Sequence, residues 1–329
     1  MSSTVFVGID VSAVTLVVTT AIGDQKPGVA REYPNDSRGH KRLIKHISAL
    51  GESAHICLEP TSTYHLDLVF RLAKEPCFTV SVVNPRAVKD YGRSLMRRAK
   101  TDVCDSRILT LYCQAHDLPV WQPPRVIDYE LRSLSRQIHN LTKRRTALKN
   151  QQHSAKRAPV AKRVLQTLAK EIRFIEGLIT QLQDEAMKLI SSDEEQSEFY
   201  QLLISIVGVG QKSAIRILGE LMVMARNLEK KQLIAGAGLD PMPRESGTSV
   251  KGKRRLSKQG NAHLRGALNI PALVAIQRCA EVQAYYEHLL EKGCAKLSAI
   301  CAVMRKLLQA IWGMFRTKTA FQPEMFFKG

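Results

Sequence analysis

Short apolar runs in the first third of the chain alternate with amphipathic stretches. Residues 4–10 (TVFVGID) and 15–20 (TLVVTT) predict two strands joined by a tight turn, and a third strand is expected around residues 29–33. Residues 55–58 (HICL) and 78–83 (FTVSVV) predict two further strands. Helices are expected from a cap at residues 35–37 to about residue 50, over residues 63–73, and after Asn84-Pro85 through residue 112.

Three leading strands followed by alternating helices and strands predict an α/β domain with a mixed sheet and helices on its faces. The ribonuclease-H-like fold uses this order of elements.

A helical pattern replaces the α/β pattern between residues 129 and 189. Apolar residues recur at helical spacing on both sides of Pro159, which predicts an antiparallel α-helical hairpin of the coiled-coil kind. Its first arm is strongly basic. Either this is a solvated face, or it is a surface for nucleic acid or dimerisation, which the near absence of acids favours. The basic residues are Lys143, Arg144, Arg145, Lys149, Lys156, Arg157, Lys162 and Arg163.

The remainder, from residue 199 to 329, is predicted to be mainly α-helical with Gly-rich turns, after a polar linker at residues 191–195. The expected domains are therefore 1–127, 128–192 and 193–329.

The charge balance indicates the class of binding partner. Lys and Arg number 49 and Asp and Glu 30, a formal net charge of +19 that indicates a polyanionic partner. No apolar run is long enough for a membrane span and no signal peptide is visible, which favours nucleic acid in the cytoplasm over a membrane surface. The 7 cysteines include no C-x-x-C pair, so reduced thiols are expected and a structural zinc site is not.

Four carboxylates in the first third are candidates for a metal site. Asp10 and Glu59 each end a predicted strand, and Asp102 and Asp105 share one face of a helix if that segment is helical. Acids brought together this way repel one another unless cations lie between them, and Mg²⁺ or Mn²⁺ prefers such oxygen ligands. The alternative is that each acid is only a cap or turn residue, as Asp102 beside Thr101 could be.

Two motifs in the last third point to phosphate chemistry. Residues 204–218 (ISIVGVGQKSAIRIL) have the form of a helix-hairpin-helix turn, in which Gly208, Gly210 and Lys212 could hold a backbone phosphate; an ordinary turn is the alternative. Residues 244–265 mix hydroxyls with cations. The hydroxyls are Ser246, Thr248, Ser249 and Ser257, and the cations include Lys251, Lys253, Arg254, Arg255, Lys258 and Arg265. A basic loop that merely contacts phosphates would have the same composition.

Taken together, these motifs resemble the IS-one-ten family of insertion-sequence transposases, also called DEDD transposases. The resemblance covers nearly the whole chain. It rests on VGIDVS, ICLEPTSTY, VVNP, KTDVCDSRILTLYC, the GVG turn, AGAGLDPMPRESGTSVKGKRRLSKQGNAHLRGAL and MRKLLQAIWGMF, in that order.

The resemblance implies a RuvC-like domain, a coiled-coil excursion and a C-terminal transposase domain. It implies that Asp10, Glu59, Asp102 and Asp105 bind Mg²⁺, and that Ser246, which follows the Glu of the ESG motif, is the nucleophile. It further implies guidance by an element-encoded bridge RNA, donor and target DNA as substrates, and homodimers or homotetramers with active sites shared between subunits.

Two other functions compete. A metal-dependent, RuvC-like nuclease would use water and leave the ESG motif without a catalytic task. A non-catalytic nucleic-acid scaffold needs only the positive charge and leaves the four acids unexplained.

Overall fold

The protein consists of two compact units, Met1–Pro123 and Pro124–Gly329. The computed structural model describes residues 4–61, 63–95, 101–224, 228–246 and 250–327, without the side chains of residues 243–246 and 250–255. The helical hairpin expected at 128–192 lies in the second unit, and the division into three domains stays a prediction.

A five-stranded mixed sheet forms the centre of the first unit, with strand order β3-β2-β1-β4-β5. The strands are β1 (Val5–Val11), β2 (Thr15–Ile22), β3 (Arg31–Pro34), β4 (Ala54–Leu58) and β5 (Phe78–Val82). β1 is antiparallel to β2 and parallel to β4, and β4 is parallel to β5. The apolar runs thus predicted all five strands, with β3 beginning two residues later than expected.

Helices cover both faces of this sheet because alternate strand residues point to opposite sides. On one face, α1 (Ser37–Ser48) and α2 (Leu66–Leu72) enclose a core with Val7 and Ile9. On the other, α3 (Pro85–Ser94) and α4 (Asp102–Ala115) pack over Cys57.

The helix expected over residues 63–73 begins only at Leu66, after a turn. The helical stretch expected after Asn84-Pro85 is described as two helices, α3 and α4, and residues 96–100 between them lie outside the described part.

Two 30-residue helices open the second unit. They are α5 (Val126–Ala155) and α6 (Lys162–Ser191), and the short connection between them contains Pro159. Their apolar faces, including Leu141 and Ile175, meet in one core, and the short connection makes the pair antiparallel, as the periodicity predicted.

The rest of the second unit is helical apart from one β-hairpin. Its elements are α7 (Glu194–Ile204), α8 (Gln211–Leu221), α9 (Lys230–Gly236), β6 (Pro241–Ser246), β7 (Val250–Leu256), α10 (Ala262–Arg278), α11 (Ala280–Glu291), α12 (Lys296–Thr317) and the 3₁₀ turn Pro323–Met325. The unit is mainly α-helical as expected, but the antiparallel β6–β7 hairpin was not predicted. Its strands lack alternating apolar residues, so the sequence pattern carried no strand signal.

Within the described residues, α12 alone is long and apolar enough to span a membrane by length and composition. Core helices meet the same criterion, and α12 contributes buried residues such as Val303, Leu307 and Ile311 to the core of the second unit.

An ionic cluster joins the start of α5 to the start of α7. Arg125 donates to Asp128 at 2.9 Å and to Asp193 at 2.7 Å, and Gln196 donates to Asp128 at 2.9 Å. Asp128 is fully buried, so its charge depends on these donors.

Arg125→Ala should therefore destabilise the second unit by about 3 kcal/mol, because it leaves a buried carboxylate short of its cation. The chain has 2 tryptophans, and Trp312 lies in α12 of the second unit. In a Trp121→Phe protein, the fluorescence of Trp312 during urea unfolding therefore reports on the second unit alone. Lys149→Ala, which breaks an exposed ion pair with Glu176, is the control and should cost less than about 1 kcal/mol. Equal losses in the two variants would contradict this role for Arg125.

Candidate active site

Asp10 and Glu59 lie side by side at one edge of the sheet. Ile9 is paired in parallel with Leu58, so the residues that follow them, Asp10 and Glu59, leave neighbouring strands at the same level. Gly8 and Cys57 are likewise paired, two residues earlier. Because side chains alternate along a strand, Asp10 shares the face of Gly8, and Glu59 shares that of Cys57.

Helix α4 lies directly on that face. A Cβ atom on Gly8 would be 2.2 Å from the carbonyl oxygen of Ser106, so only glycine permits this approach. Thr110 strengthens the contact by donating to the carbonyl oxygen of Thr19 at 3.0 Å.

The direction of α4 brings its first turn toward the same edge. Near its C-terminal end, Gln114 donates to the carbonyl oxygen of Gly23 at 2.8 Å, and Gly23 is hydrogen-bonded to Thr4 just before β1. Ser106 lies over Gly8, farther along β1. The helix therefore runs antiparallel to β1, and its N-terminal turn lies toward the end of β1 that carries Asp10.

That first turn carries Asp102 and Asp105. The helix predicted for this pair is confirmed, and Thr101 rather than Asp102 is its cap, because the Thr101 hydroxyl accepts from the Cys104 amide at 3.2 Å. Asp102 is exposed, whereas Asp105, Asp10 and Glu59 are half-buried. The four predicted acids thus lie at one edge and on one face of the sheet.

Four carboxylates offer the hard oxygen ligands that Mg²⁺ and Mn²⁺ prefer. Among the residues described, however, no three His, Cys, Asp or Glu side chains come close enough to one another to form a metal-binding group. The four acids have the chemistry of divalent-ion ligands and lie at the same edge of the sheet. Among the described residues, however, they do not form the metal-binding cluster that the sequence predicted.

A buried thiol pair lies under the acids. The Cys57 thiol of β4 is hydrogen-bonded to Cys113 of α4, which raises the pKa of Cys57 and lowers that of Cys113. Cys113 also donates to the carbonyl oxygen of His55 at 3.5 Å. All seven cysteines are free thiols, as expected, although Cys77 and Cys294 are exposed rather than in the core.

The predicted serine lies in the second unit. Ser246 is the last residue of β6 and is paired with Val250 of β7, and its side chain is outside the described part. Residues 247–249, which include Thr248 and Ser249, are not described at all. The Ser257 hydroxyl donates to the Asp240 carboxylate, so a carboxylate already holds this fourth candidate.

The base of the hairpin is fixed to α9. The amide of Asn261 donates to the carbonyl oxygen of Gly236 at 2.6 Å, and a Cβ on Gly260 would be only 2.2 Å from the same oxygen. Arg265, predicted to contact nucleic acid, donates to the carbonyl oxygen of Ala237 at 2.9 Å and thereby fixes the α9–β6 turn. This structural role was missed from the sequence.

The segment predicted to be a helix-hairpin-helix forms the turn between α7 and α8. Gly208 has a φ of 96°, and a Cβ there would lie 2.7 Å from the carbonyl oxygen of Pro271 in α10. Turn geometry and packing thus account for Gly208. Gly210 caps α8, and both it and Lys212 are exposed.

The other predicted cations are distributed over two elements. On α5, Lys143 and Arg144 are exposed and Arg145 is half-buried. Lys258 is exposed after β7. The side chains of the four in β7, Lys251, Lys253, Arg254 and Arg255, lie outside the described residues.

Two family profiles match the chain. Residues 7–157 match one described as "Transposase", of the DEDD IS110 type, and residues 200–287 match one described as "Transposase IS116/IS110/IS902 family". The chain belongs to the IS110/IS116/IS902 family of transposases. The first match includes all four acids of this transposase, and the second includes Ser246 and the helix-hairpin-helix turn.

Similar proteins agree with this assignment. The transposase is 28% identical over 306 residues to a "Pilin gene-inverting protein" of Moraxella bovis, covering 89% of this chain and 90% of that protein. It is 27% identical over 179 residues to an "Insertion element IS900 uncharacterized 42 kDa protein" of Mycobacterium paratuberculosis, covering 53% of this chain and 43% of that one. The chain is thus an enzyme of DNA transposition and recombination.

Gly8→Ala should displace α4 from the sheet and abolish recombination, because the new Cβ would overlap backbone atoms of Ser106 and Thr110. We expect the free energy of unfolding of the first unit to fall by about 3 kcal/mol. Trp121 fluorescence in a Trp312→Phe protein measures this unfolding. Gly28→Ala is the matched control, since its Cβ would have only one close contact, at 3.6 Å, and it should change stability by less than about 1 kcal/mol. A stable, active Gly8→Ala protein would contradict the close packing of α4.

Proposed function

We propose that this transposase is an RNA-guided serine recombinase that cuts and rejoins donor and target DNA through a covalent phosphoserine at Ser246. A metal-binding tetrad of Asp10, Glu59, Asp102 and Asp105 assists this chemistry. The protein works with a non-coding bridge RNA encoded by its element, as a homodimer or homotetramer, in the nucleoid of the bacterial cytoplasm.

The observation that supports the proposal most strongly is the placement of the acids. The parallel pairing of β1 with β4 and the direction of α4 bring four carboxylates to one edge of the sheet. A sheet of order β3-β2-β1-β4-β5 with β2 antiparallel to β1 is also what a ribonuclease-H-like, RuvC-like domain requires.

Mg²⁺ or Mn²⁺ held by these acids would stabilise the negative charge that develops on the phosphate. The protein's own part would be to orient the carboxylates, and the contact of α4 with Gly8 supports this by fixing the helix that carries two of them. A tetrad of negative charges without a cation would repel a DNA phosphate, so a polyanion-binding protein has no other evident use for it.

In the proposed reaction, the Ser246 Oγ attacks the phosphorus atom of a DNA phosphodiester. The Oγ–P bond forms as the P–O3′ bond breaks, the serine proton is lost to solvent, and the leaving 3′ oxygen takes a proton to become a 3′-hydroxyl. A 3′-hydroxyl of the other strand then attacks the phosphoserine, restores a phosphodiester and frees Ser246. The number of phosphodiester bonds is unchanged, so no external energy source is needed.

The position of Ser246 suits this role. It ends β6 at the tip of a hairpin whose base is tied to α9, and the opposite strand carries the cations Lys251, Lys253, Arg254 and Arg255. Cations beside the reacting phosphate lower the cost of its developing charge. Ser257 is a weaker candidate because its hydroxyl already donates to Asp240.

Backbone binding would come from the helix-hairpin-helix turn and the basic face of α5. Gly210 and Lys212 at the exposed start of α8 would hold one phosphate, and Lys143, Arg144 and Arg145 would hold others. Such contacts carry no sequence information, which suits a protein whose target choice depends on base pairing with RNA.

Denaturing gels of the protein with bridge RNA, Mg²⁺ and labelled donor and target DNA test the nucleophile. Wild type should give a protein–DNA adduct that depends on RNA and is lost in Ser246→Ala and in Asp105→Asn. Ser249→Ala, three residues farther along the chain, is the matched control and should keep the adduct. Cleavage without an adduct that survives Ser246→Ala would favour a hydrolytic RuvC-like nuclease.

Chelation of divalent ions distinguishes a metal-dependent enzyme from a non-catalytic scaffold. EDTA should abolish strand cleavage while DNA binding remains, because the cationic surfaces bind the backbone without the tetrad. Restoring Mg²⁺ should restore cleavage in wild type and fail to do so in Asp10→Asn. Cleavage that persists in EDTA would contradict the metal-dependent tetrad.

A further inference from the structure

Asn35 lies at the edge of the sheet that carries the four acids. It directly follows β3, and Pro34 at the end of β3 is paired with Thr15 at the start of β2. Because β2 is antiparallel to both β1 and β3, β3 ends at the edge where β1 ends beside Asp10. The sequence pattern indicated only a helix cap at this point, and Asn35 has no part in the proposed reaction.

The side-chain amide of Asn35 joins two connections of the chain. Its Nδ2 donates to the carbonyl oxygen of Ser12 at 2.8 Å and to that of Tyr64 at 3.1 Å. Ser12 lies in the turn between β1 and β2, two residues after Asp10, and Tyr64 lies just before α2, five residues after Glu59. The amide therefore ties the chain that follows one acid to the chain that follows another.

A buried histidine fixes the orientation of this amide. His40 of α1 is 1% exposed, and its Nε2 lies 2.8 Å from the Asn35 Oδ1. Since Oδ1 carries no hydrogen, Nε2 must be the donor, and the Asn35 Nδ2 is left to face the two carbonyls. The Asn35 backbone amide adds a hydrogen bond to the carbonyl of Val14 at 2.8 Å, in the same β1–β2 turn.

Helix α1 provides a rigid base for these contacts. His40 shares the buried face of α1 with Leu43 and Ile47, which are fully buried in the core against the sheet. A Cβ on Gly39 would be 1.9 Å from the carbonyl oxygen of Pro34, so the first turn of α1 packs tightly against the end of β3. Close packing of this kind leaves the helix little freedom to shift.

Glu59 is the acid whose position depends most on the Asn35 contacts. Asp10 lies within β1 and is paired with a residue of β2. The two acids of α4 are carried by a helix whose place on the sheet is fixed at Gly8. Glu59 comes one residue after the last paired residue of β4, so its backbone position depends on the chain that continues toward α2. The hydrogen bond to the Tyr64 carbonyl holds that chain in place.

We propose that Asn35 is a positioning residue for the acid edge, and that with His40 behind it the amide sets the separation of the Glu59 and Asp10 carboxylates. This inference rests on the proposed function, because a metal-binding tetrad is what makes that separation matter. Mg²⁺ demands near-ideal octahedral geometry, so displacing one ligand weakens its binding. Residues that orient metal ligands without touching the ion typically change metal affinity about 10- to 100-fold when they are replaced.

Mn²⁺ binding to the full chain without nucleic acid tests this role. The electron paramagnetic resonance signal of free Mn²⁺ measures uptake of the ion, and Asp10→Asn defines the part of the uptake that belongs to the tetrad. Asn35→Ala should weaken that part about 10-fold. Strand cleavage by Asn35→Ala should need about 10-fold more Mg²⁺ and recover at high Mg²⁺, because the ligands are displaced and not removed.

Asn84→Ala is the matched control. Asn84 follows β5 at the same edge, and its side chain accepts from the Arg86 amide at 2.9 Å and so caps α3. Loss of this cap should lower the melting temperature of the first unit by a few degrees and leave the affinity for Mn²⁺ unchanged. An effect of Asn84→Ala on Mn²⁺ binding as large as that of Asn35→Ala would reduce the proposed role to general stability and overturn it.

His40 supplies a second pair of variants, which keeps the test valid if Asn35→Ala does not fold. His40→Gln keeps an N–H donor for the Asn35 Oδ1 and should keep most of the Mn²⁺ affinity. His40→Leu keeps apolar bulk without a donor and should weaken binding as Asn35→Ala does. Equal affinities in His40→Gln and His40→Leu would contradict the proposed role.

The failure of this inference is distinct from the failure of the proposed function. Wild-type Mn²⁺ affinity in Asn35→Ala, together with loss of binding in Asp10→Asn, would overturn the role of Asn35 and leave the tetrad standing. Wild-type protein without any Asp10-dependent Mn²⁺ binding would overturn both. These binding measurements do not involve Ser246, so they hold whether or not a phosphoserine forms.

Discussion

The contact between α4 and Gly8 is the constraint on which the first unit's chemistry depends. The carbonyl of Ser106 lies so close to β1 that no side chain fits between them. Thr19 of the neighbouring strand β2 is joined to Ser106 and Thr110 of α4 by buried hydrogen bonds, which fix the position of the helix along the sheet. Because Asp102 and Asp105 lie at one end of this helix, their place beside Asp10 and Glu59 follows from that single close approach.

The second unit is organised differently. There the catalytic candidate lies on a polar hairpin with little apolar surface of its own, so its position depends on backbone hydrogen bonds at its base. The Asn261 amide donates to the Gly236 carbonyl, Gly260 packs closely against the same carbonyl, and Arg265 closes the adjoining turn.

Most of the first unit could be predicted from the sequence because its strands are apolar and its helices amphipathic. The positions of Asp10, Glu59 and the Asp102–Asp105 pair along those elements were enough to predict that the four acids lie at one edge of the sheet. What the sequence could not supply was the direction of α4 and the packing at Gly8, since these arise from contacts far apart in the chain. The β6–β7 hairpin was missed for a different reason: its stability comes from backbone pairing and has no hydrophobic period.

The cluster around Glu220 shows that sequence patterns do not reveal ion pairs between distant residues. Arg136 and Glu220 are 84 residues apart, and nothing in either segment indicates that they pair. The spacing of Arg132, Arg136 and His139 was visible, but on a helix that carries many cations it did not stand out. Once α8 packs against α5, Glu220 accepts two hydrogen bonds from Arg136, and its negative charge partly offsets the lowering of the pKa of Arg132 and Arg216 by burial.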